Sequence, residues 1–287
     1  MVLFELFAIY FYKILSFIPL SVLYKIGNGI ASLVCFLKFL PFRQQTKRNL
    51  HQAFPEKDTK WINQTESEYY HRVCEFGAEQ IHMFAPKNNE RLQLTVKNIE
   101  LLERRFQESD YVVCYAGHFL NYEILTYLPR MYPQFRLLCY YQSSGLKKVD
   151  QFIQSARSRF GAKLIPTSSP LKELIRIKNE NKTHQKYILG SLADLKPSKA
   201  KVHYSPFFHK IIGVHDGTEK VGMKIGASFL YAKIIRKKIG SYEIEFIELK
   251  KNILKIDESV TDCFVKELEK NIQEQPDIWM LWATRRF

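Results

Sequence analysis

Between residues 111 and 194 the chain alternates short apolar runs with longer amphipathic ones, and this alternation constrains its fold more than any other feature. YVVCYA (111–116), FRLLCYY (135–141), AKLIP (162–166) and KYILGSLAD (186–194) read as strands. The intervening LNYEILTYLPRMY (120–132), KKVDQFIQSARSRF (147–160) and PLKELIRIKNENK (170–182) read as helices from the spacing of their apolar residues. Strands joined through helices pair in parallel, because the connection must cross back over the sheet. The expected fold is α/β, with a mostly parallel central sheet flanked by helices. Residues 227–236 and 242–250 read as two further strands joined at Ile239-Gly240-Ser241, a hairpin that ends the sheet. Helices are expected over 58–84, 97–108, 216–226 and 257–275. No Gly/Ser-rich or Pro-rich linker interrupts the chain, so 43–287 is expected to form a single α/β domain.

The first forty-two residues differ from the rest. They are almost wholly apolar, with Glu5, Lys13, Lys25 and Lys38 as the only charges. The lysines leave uncharged runs at 14–24 and 26–37, each shorter than the roughly 20 residues a straight span requires. A secretory leader is not expected, because an early basic region is absent and Glu5 interrupts the apolar run. Three arrangements fit: a tilted anchor over 1–24, two apolar helices in one leaflet hinged near Gly27 and Gly29, or a buried core hairpin. Arg43, Lys47 and Arg48 follow directly, and a basic cluster beside an apolar segment suits an anionic cytoplasmic leaflet. We therefore expect residues 1–42 to be a membrane-associated helical anchor.

The formal net charge is +14, which calls for an anionic partner. The spacings of zinc fingers, RNP-like aromatics and recognition helices are absent, so no nucleic acid is expected. Five cysteines form no CxxC pair, and His203, His209 and His215 are spaced by six, so neither a disulfide frame nor a metal site is expected.

One segment does not fit a purely structural role. GHFLNYE (117–123) places His118 and Glu123 where a strand ends and a helix begins. On one continuous helix they would lie about 140° apart. With His118 on the loop and Glu123 in the first helical turns they can meet, at the strand ends where α/β proteins collect reacting groups. A carboxylate bonded to one ring nitrogen leaves the other as a base, suited to taking a proton from a hydroxyl that attacks an acyl carbonyl. The alternative is that the polar pair caps the helix. No G-x-S-x-G elbow is present, so direct transfer is simpler than a covalent acyl-enzyme.

KRNLHQAFPEK (47–57), GHFLNYE (117–123), RSRFGAKLIP (157–166), ADLKP (193–197), Phe207-Phe208 and the terminal WATRRF (282–287) stand in an order that resembles the bacterial lipid A biosynthesis acyltransferases, the late lauroyl/myristoyl transferases of the wider glycerolipid acyltransferase superfamily. The resemblance covers nearly the whole chain and implies a membrane-bound O-acyltransferase on the cytoplasmic face of the bacterial inner membrane. It implies an acyl thioester co-substrate, on acyl carrier protein or coenzyme A, a lipid A precursor as acceptor, and no cofactor or metal. It carries His118 and Glu123 over as catalytic, and Asn121, Gln142, Arg157 and Asp194 as substrate-binding. Arg157 is expected at the substrate's anionic group or the oxyanion, unless it is an ordinary surface arginine. Asn121 is expected either at a carbonyl or as a helix cap, and Asp194 either beside a cation such as Arg157 or as a loop cap. Arg285 and Arg286 are expected either at lipid phosphates or as a solvated basic chain end, and Trp279 and Trp282 in the core or at the bilayer interface. The sequence departs from the family pattern at Leu120 for Gly, Tyr122 for Trp, Gln142 for Arg, Leu195 for Gln and Thr284 for His. These departures leave open an aminolipid or glycolipid acceptor, or a silent lipid-binding relative.

Overall fold

The computed structural model describes residues 2–83, 92–181, 183–197, 202–250 and 258–285. Four helices come first: α1 (Val2–Ser16), α2 (Leu20–Phe36), α3 (Pro41–Ala53) and α4 (Thr59–Met83). The alternating body follows: β1 (Gln93–Val96), α5 (Ile99–Glu108), β2 (Tyr111–Ala116), a 3-10 turn (Tyr122–Tyr127), α6 (Leu128–Met131), β3 (Phe135–Tyr141), α7 (Lys147–Ser158), β4 (Ala162–Pro166), α8 (Pro170–Glu180) and β5 (Lys186–Leu192). After it come β6 (His203–Phe207), β7 (Lys210–Val214), α9 (Gly217–Ile225), β8 (Ser228–Lys238), β9 (Ser241–Glu248), α10 (Val260–Glu274) and a closing 3-10 turn (Pro276–Ile278).

Seven strands form one sheet in the order β1-β9-β8-β2-β5-β3-β4. Every neighbouring pair is parallel except the β8–β9 hairpin. All six residues of β2 are buried, as a central strand covered on both faces requires. Its side chains alternate between two cores. Val112, Cys114 and Ala116 meet Leu102 and Phe106 of α5. Tyr111, Val113 and Tyr115 face the larger core, which includes residues of α2, α4 and α10. β6 and β7 form a separate two-stranded hairpin, which the sequence pattern does not signal because Pro206 lies inside β6.

The helix expected over 120–132 is instead a 3-10 turn followed by the single turn α6. Pro129 has no N–H to give to the preceding turn, so a continuous α-helix cannot pass through it.

The amino-terminal helices correct the expected hinge. The chain bends by 114° between Ile9–Ser16 and Leu20–Phe36, across the short break before α2, and among the described residues no single helix is long and apolar enough to cross a membrane. Gly27 lies inside α2, where a Cβ would come within 3.1 Å of the Cys74 carbonyl oxygen; it serves close packing on α4. α2 is apolar on two faces. Leu20, Leu23, Gly27 and Ala31 are buried, while Val22, Ile26, Ile30 and Leu33 are exposed, as are Ile14, Phe17, Phe36 and Phe39.

Two charges in this region have structural partners. Glu5 is buried, and its Oε2 accepts from the Lys148 N–H at 2.8 Å, capping the start of α7. Arg43, expected to face an anionic leaflet, is buried instead. Its Nε and Nη2 pair with Glu66 of α4, and its Nη1 donates to the Cys35 carbonyl at the end of α2. The carbonyls at a helix end need such donors, and the buried carboxylate needs a cation. Removing one partner of a buried pair leaves the other charge stranded. Arg43→Ala is therefore expected to destabilise the fold by about 3 kcal/mol in urea unfolding, with vesicle binding of the folded protein little changed. A variant of wild-type stability with reduced vesicle binding would return Arg43 to the lipid-facing role.

Candidate active site

β2 and β5 are parallel neighbours with Ala116 opposite Leu192. Two residues beyond these ends stand His118 and Asp194, so the register alone sets them side by side. His118 Nδ1 lies 2.5 Å from Asp194 Oδ1, and the His118 backbone N–H donates to Oδ2 at 2.8 Å. The indole of Trp279 donates to the same Oδ2 at 2.9 Å. Asp194 is 1% exposed. Burial raises its carboxyl pKa, but the charge and hydrogen bonds of His118 and the Trp279 donor outweigh burial and hold it below the ordinary carboxylate range. With Nδ1–H given to Asp194, the ring's other nitrogen keeps its lone pair.

The carboxy-terminal segment fixes this arrangement from behind. Phe119 and Trp279 form an antiparallel bridge. Met280 N–H donates to the His118 carbonyl at 2.8 Å, and Leu120 N–H to the Ile278 carbonyl at 2.7 Å. Arg285, expected at lipid phosphates or in solvent, is buried. Its Nη1 donates to the Asp194 carbonyl and its Nη2 to that of Gly213 at 3.1 Å. Burial pulls the Arg285 pKa down, against the opposing charge of Asp194. Asn49 of α3 donates to the Trp282 and Arg285 carbonyls at 2.7 and 2.6 Å, tying the chain end to the amino-terminal helices. Arg286 lies outside the described residues.

Two backbone positions make the loop possible. A Cβ on Gly117 would lie 2.6 Å from Leu268 Cδ1 and 2.7 Å from Phe119 Cε2, so any larger residue has to displace these buried side chains. Leu120 has φ of +23° and is fully buried. That is backbone in which a leucine is uncommon and a glycine is at ease, at the position where the resembled pattern carries glycine.

Glu123 does not partner His118. Its carboxylate takes the Nε–Nη2 edge of Arg157, with Nε at 2.9 Å from Oε2. The pairing expected from the sequence is corrected on a geometric ground: His118 turns toward the neighbouring strand's end, and Glu123 toward the end of α7. Arg157 is accordingly an ion-pair partner of Glu123, not of Asp194. Around this pair burial pushes the Tyr122 hydroxyl and the Cys139 thiol up to about 12, with Glu123's charge adding to it. The Tyr122 ring stands edge-on to His118, centroids 5.0 Å apart. Met83, Thr126, Ala156 and Phe160 line a narrow crevice beside the Glu123–Arg157 pair. Asn121 is fully buried and makes no cap; its Nδ2 donates to Glu79. Gln142 is exposed on the loop between β3 and α7. Among the described residues, no group of three or more His, Cys, Asp or Glu side chains could hold a metal ion.

A family model of bacterial lipid A biosynthesis acyltransferases matches residues 2–287. The chain belongs to that family. No curated protein matches it. In this acyltransferase-family chain the structure sets Asp194 against the His118 ring, with Trp279 and Arg285 donating to Asp194. The WATRRF ending signalled the last of these in sequence, but only the fold shows that Arg285 serves Asp194. Asp194→Asn is expected to lower the rate of acyl transfer about 100-fold while the protein stays folded, because the amide no longer fixes the His118 tautomer or stabilises its charged form. Turnover at the wild-type rate would remove Asp194 from the site.

Proposed function

We propose that the protein is a membrane-bound O-acyltransferase that moves a fatty acyl group from a thioester to a hydroxyl of a lipid A precursor or a related acylated lipid. The observation that carries this reading is His118, at the end of a central parallel strand, with one ring nitrogen held by a buried carboxylate and the other left as a base. His118 takes the proton from the acceptor hydroxyl as its oxygen bonds to the thioester carbon. The tetrahedral oxyanion collapses, the C–S bond breaks, and the departing thiolate takes the proton from the imidazolium. Asp194 stabilises the imidazolium through Nδ1. Arg157, held in place by Glu123, supplies a fixed cation beside the reaction for the oxyanion or a substrate phosphate.

The bent pair α1–α2 supports attachment to one leaflet. Its outer surface carries Tyr10, Phe11, Ile14, Phe17, Ile26, Ile30, Leu33 and Phe36, each at least half exposed, and exposed apolar surface of this kind suits the acyl boundary of a bilayer. On this reading residues 1–42 are the membrane-associated part and 43–287 the transferase domain, facing the cytoplasm at the inner membrane. The net charge of +14 suits an acidic acyl carrier protein as donor over coenzyme A, though either thioester fits the chemistry. Gln142 in place of the family's arginine favours, as a second reading, an acceptor with one fewer phosphate at that point, such as an aminolipid.

The test uses purified protein in vesicles with a long-chain acyl thioester and extracted lipids as acceptors, read by mass spectrometry. One lipid class is expected to gain the mass of one acyl group, and His118→Ala is expected to abolish the gain, a loss of about 1,000-fold or more. Transfer by His118→Ala at the wild-type rate would overturn the mechanism.

A further inference from the structure

Glu79 of α4 is fully buried, and the proton transfer above makes no use of it. A carboxylate in that setting is costly unless its lone pairs are filled. Three side chains from three other segments fill them. Tyr24 of α2 donates to Oε1 at 2.9 Å, Tyr242 of β9 to Oε2 at 2.7 Å, and Asn121 Nδ2 to Oε2 at 2.8 Å. Burial pushes the Glu79 carboxyl up against the pull of these hydrogen bonds.

The contact with Asn121 is the informative one. Asparagine is a favoured helix cap, and Asn121 stands directly before the 3-10 turn at Tyr122, yet its side chain makes no cap hydrogen bond. Both halves of its amide turn to α4 instead: Nδ2 to Glu79, and Oδ1 to Gln80 Nε2 at 3.2 Å. α4 therefore grips the loop between His118 and Glu123, next to the buried Leu120 at φ +23°. Backbone in so sparse a region persists only where its surroundings over-determine it. Ile278 and Met280 hold the loop's main chain from one side, and Glu79 holds its amide side chain from the other. The same α4 also steadies the carboxy-terminal segment, where Tyr69 donates to the Met280 carbonyl at 3.0 Å.

We propose that Glu79 is a positioning residue for acyl transfer, holding segment 117–123 through Asn121 in the geometry that presents His118, and that Tyr24 makes this hold depend on α2 staying docked on α4. The inference rests on the transfer reading above. α2 belongs to the helix pair whose outer face is exposed and apolar, so on that reading a helix that meets lipid and the loop that bears the base share one carboxylate.

The test measures kcat and KM of the full chain in vesicles, with hydrogen exchange over 117–123. Asn121→Asp sets two carboxyl groups against each other and is expected to lower kcat about 100-fold, with KM for the thioester changed by less than about 3-fold. Glu79→Gln is expected to lower kcat about 10-fold. The double variant Glu79→Gln with Asn121→Asp restores an amide–carboxylate pair with the roles exchanged, and is expected to recover most of the lost kcat. Tyr24→Phe removes only a hydroxyl, and is expected to lower kcat about 3-fold and to speed exchange over 117–123. Wild-type kcat in both single variants, with His118→Ala inactive, overturns the proposal and leaves the transfer reading standing. No recovery in the double variant also overturns it. Should the single variants fail to fold, Tyr24→Phe decides: unchanged kcat and unchanged exchange overturn the proposal. If His118→Ala is itself active, the transfer reading falls and this inference with it.

Discussion

Asp194 has almost no exposed surface, and an ionised carboxylate so placed costs several kcal/mol unless its oxygens are engaged. Here an imidazole, a backbone N–H and an indole N–H engage them. Each of these donors needs a part of the fold. The imidazole and backbone N–H need β2 and β5 to be parallel neighbours in the observed register. The indole needs the carboxy-terminal segment to return across the loop after β2. Asn49 in turn holds the carbonyls of that segment. A carboxylate at one strand end thus draws together the sheet, the chain terminus and an amino-terminal helix.

The alternation of strands and helices was legible in the sequence because each element's apolar period is local. So was the choice of His118 and Glu123 as unusual groups at a strand's end. Their partners were not legible. His118 meets Asp194 across 76 positions and Glu123 meets Arg157 across 34, and both contacts follow from strand order and helix placement. A motif's spacing suggested that its own two members pair; the fold instead gives each a partner from another element. Asn121 misled for the same reason: its cap preference is a local property, and a distant buried carboxylate overrides it.

The amino-terminal region shows the converse. Glu5 and Arg43 read from sequence as a blemish in an apolar run and as a flanking basic signal. Both are structural ties, to the start of α7 and to α4 with the end of α2. The lysines at 13, 25 and 38 are exposed, together with much of the apolar surface. A helix pair fastened to the body by buried charge, with apolar side chains left outward, is built to stay attached while presenting that surface to something apolar. On the proposed reading that surface is where the transferase meets lipid, and no single helix among the described residues is long and apolar enough to cross a membrane.

The central claim is that Asp194, not Glu123, sets the protonation of the His118 ring. Nitrogen-15 spectroscopy of the histidine side chains in the folded protein tests it most directly. The account predicts that His118 carries its proton on Nδ1 at neutral pH, that Asp194→Asn changes this tautomer, and that Glu123→Gln leaves it in place. A ring protonated on Nε2, or one that responds to Glu123→Gln and ignores Asp194→Asn, would contradict it.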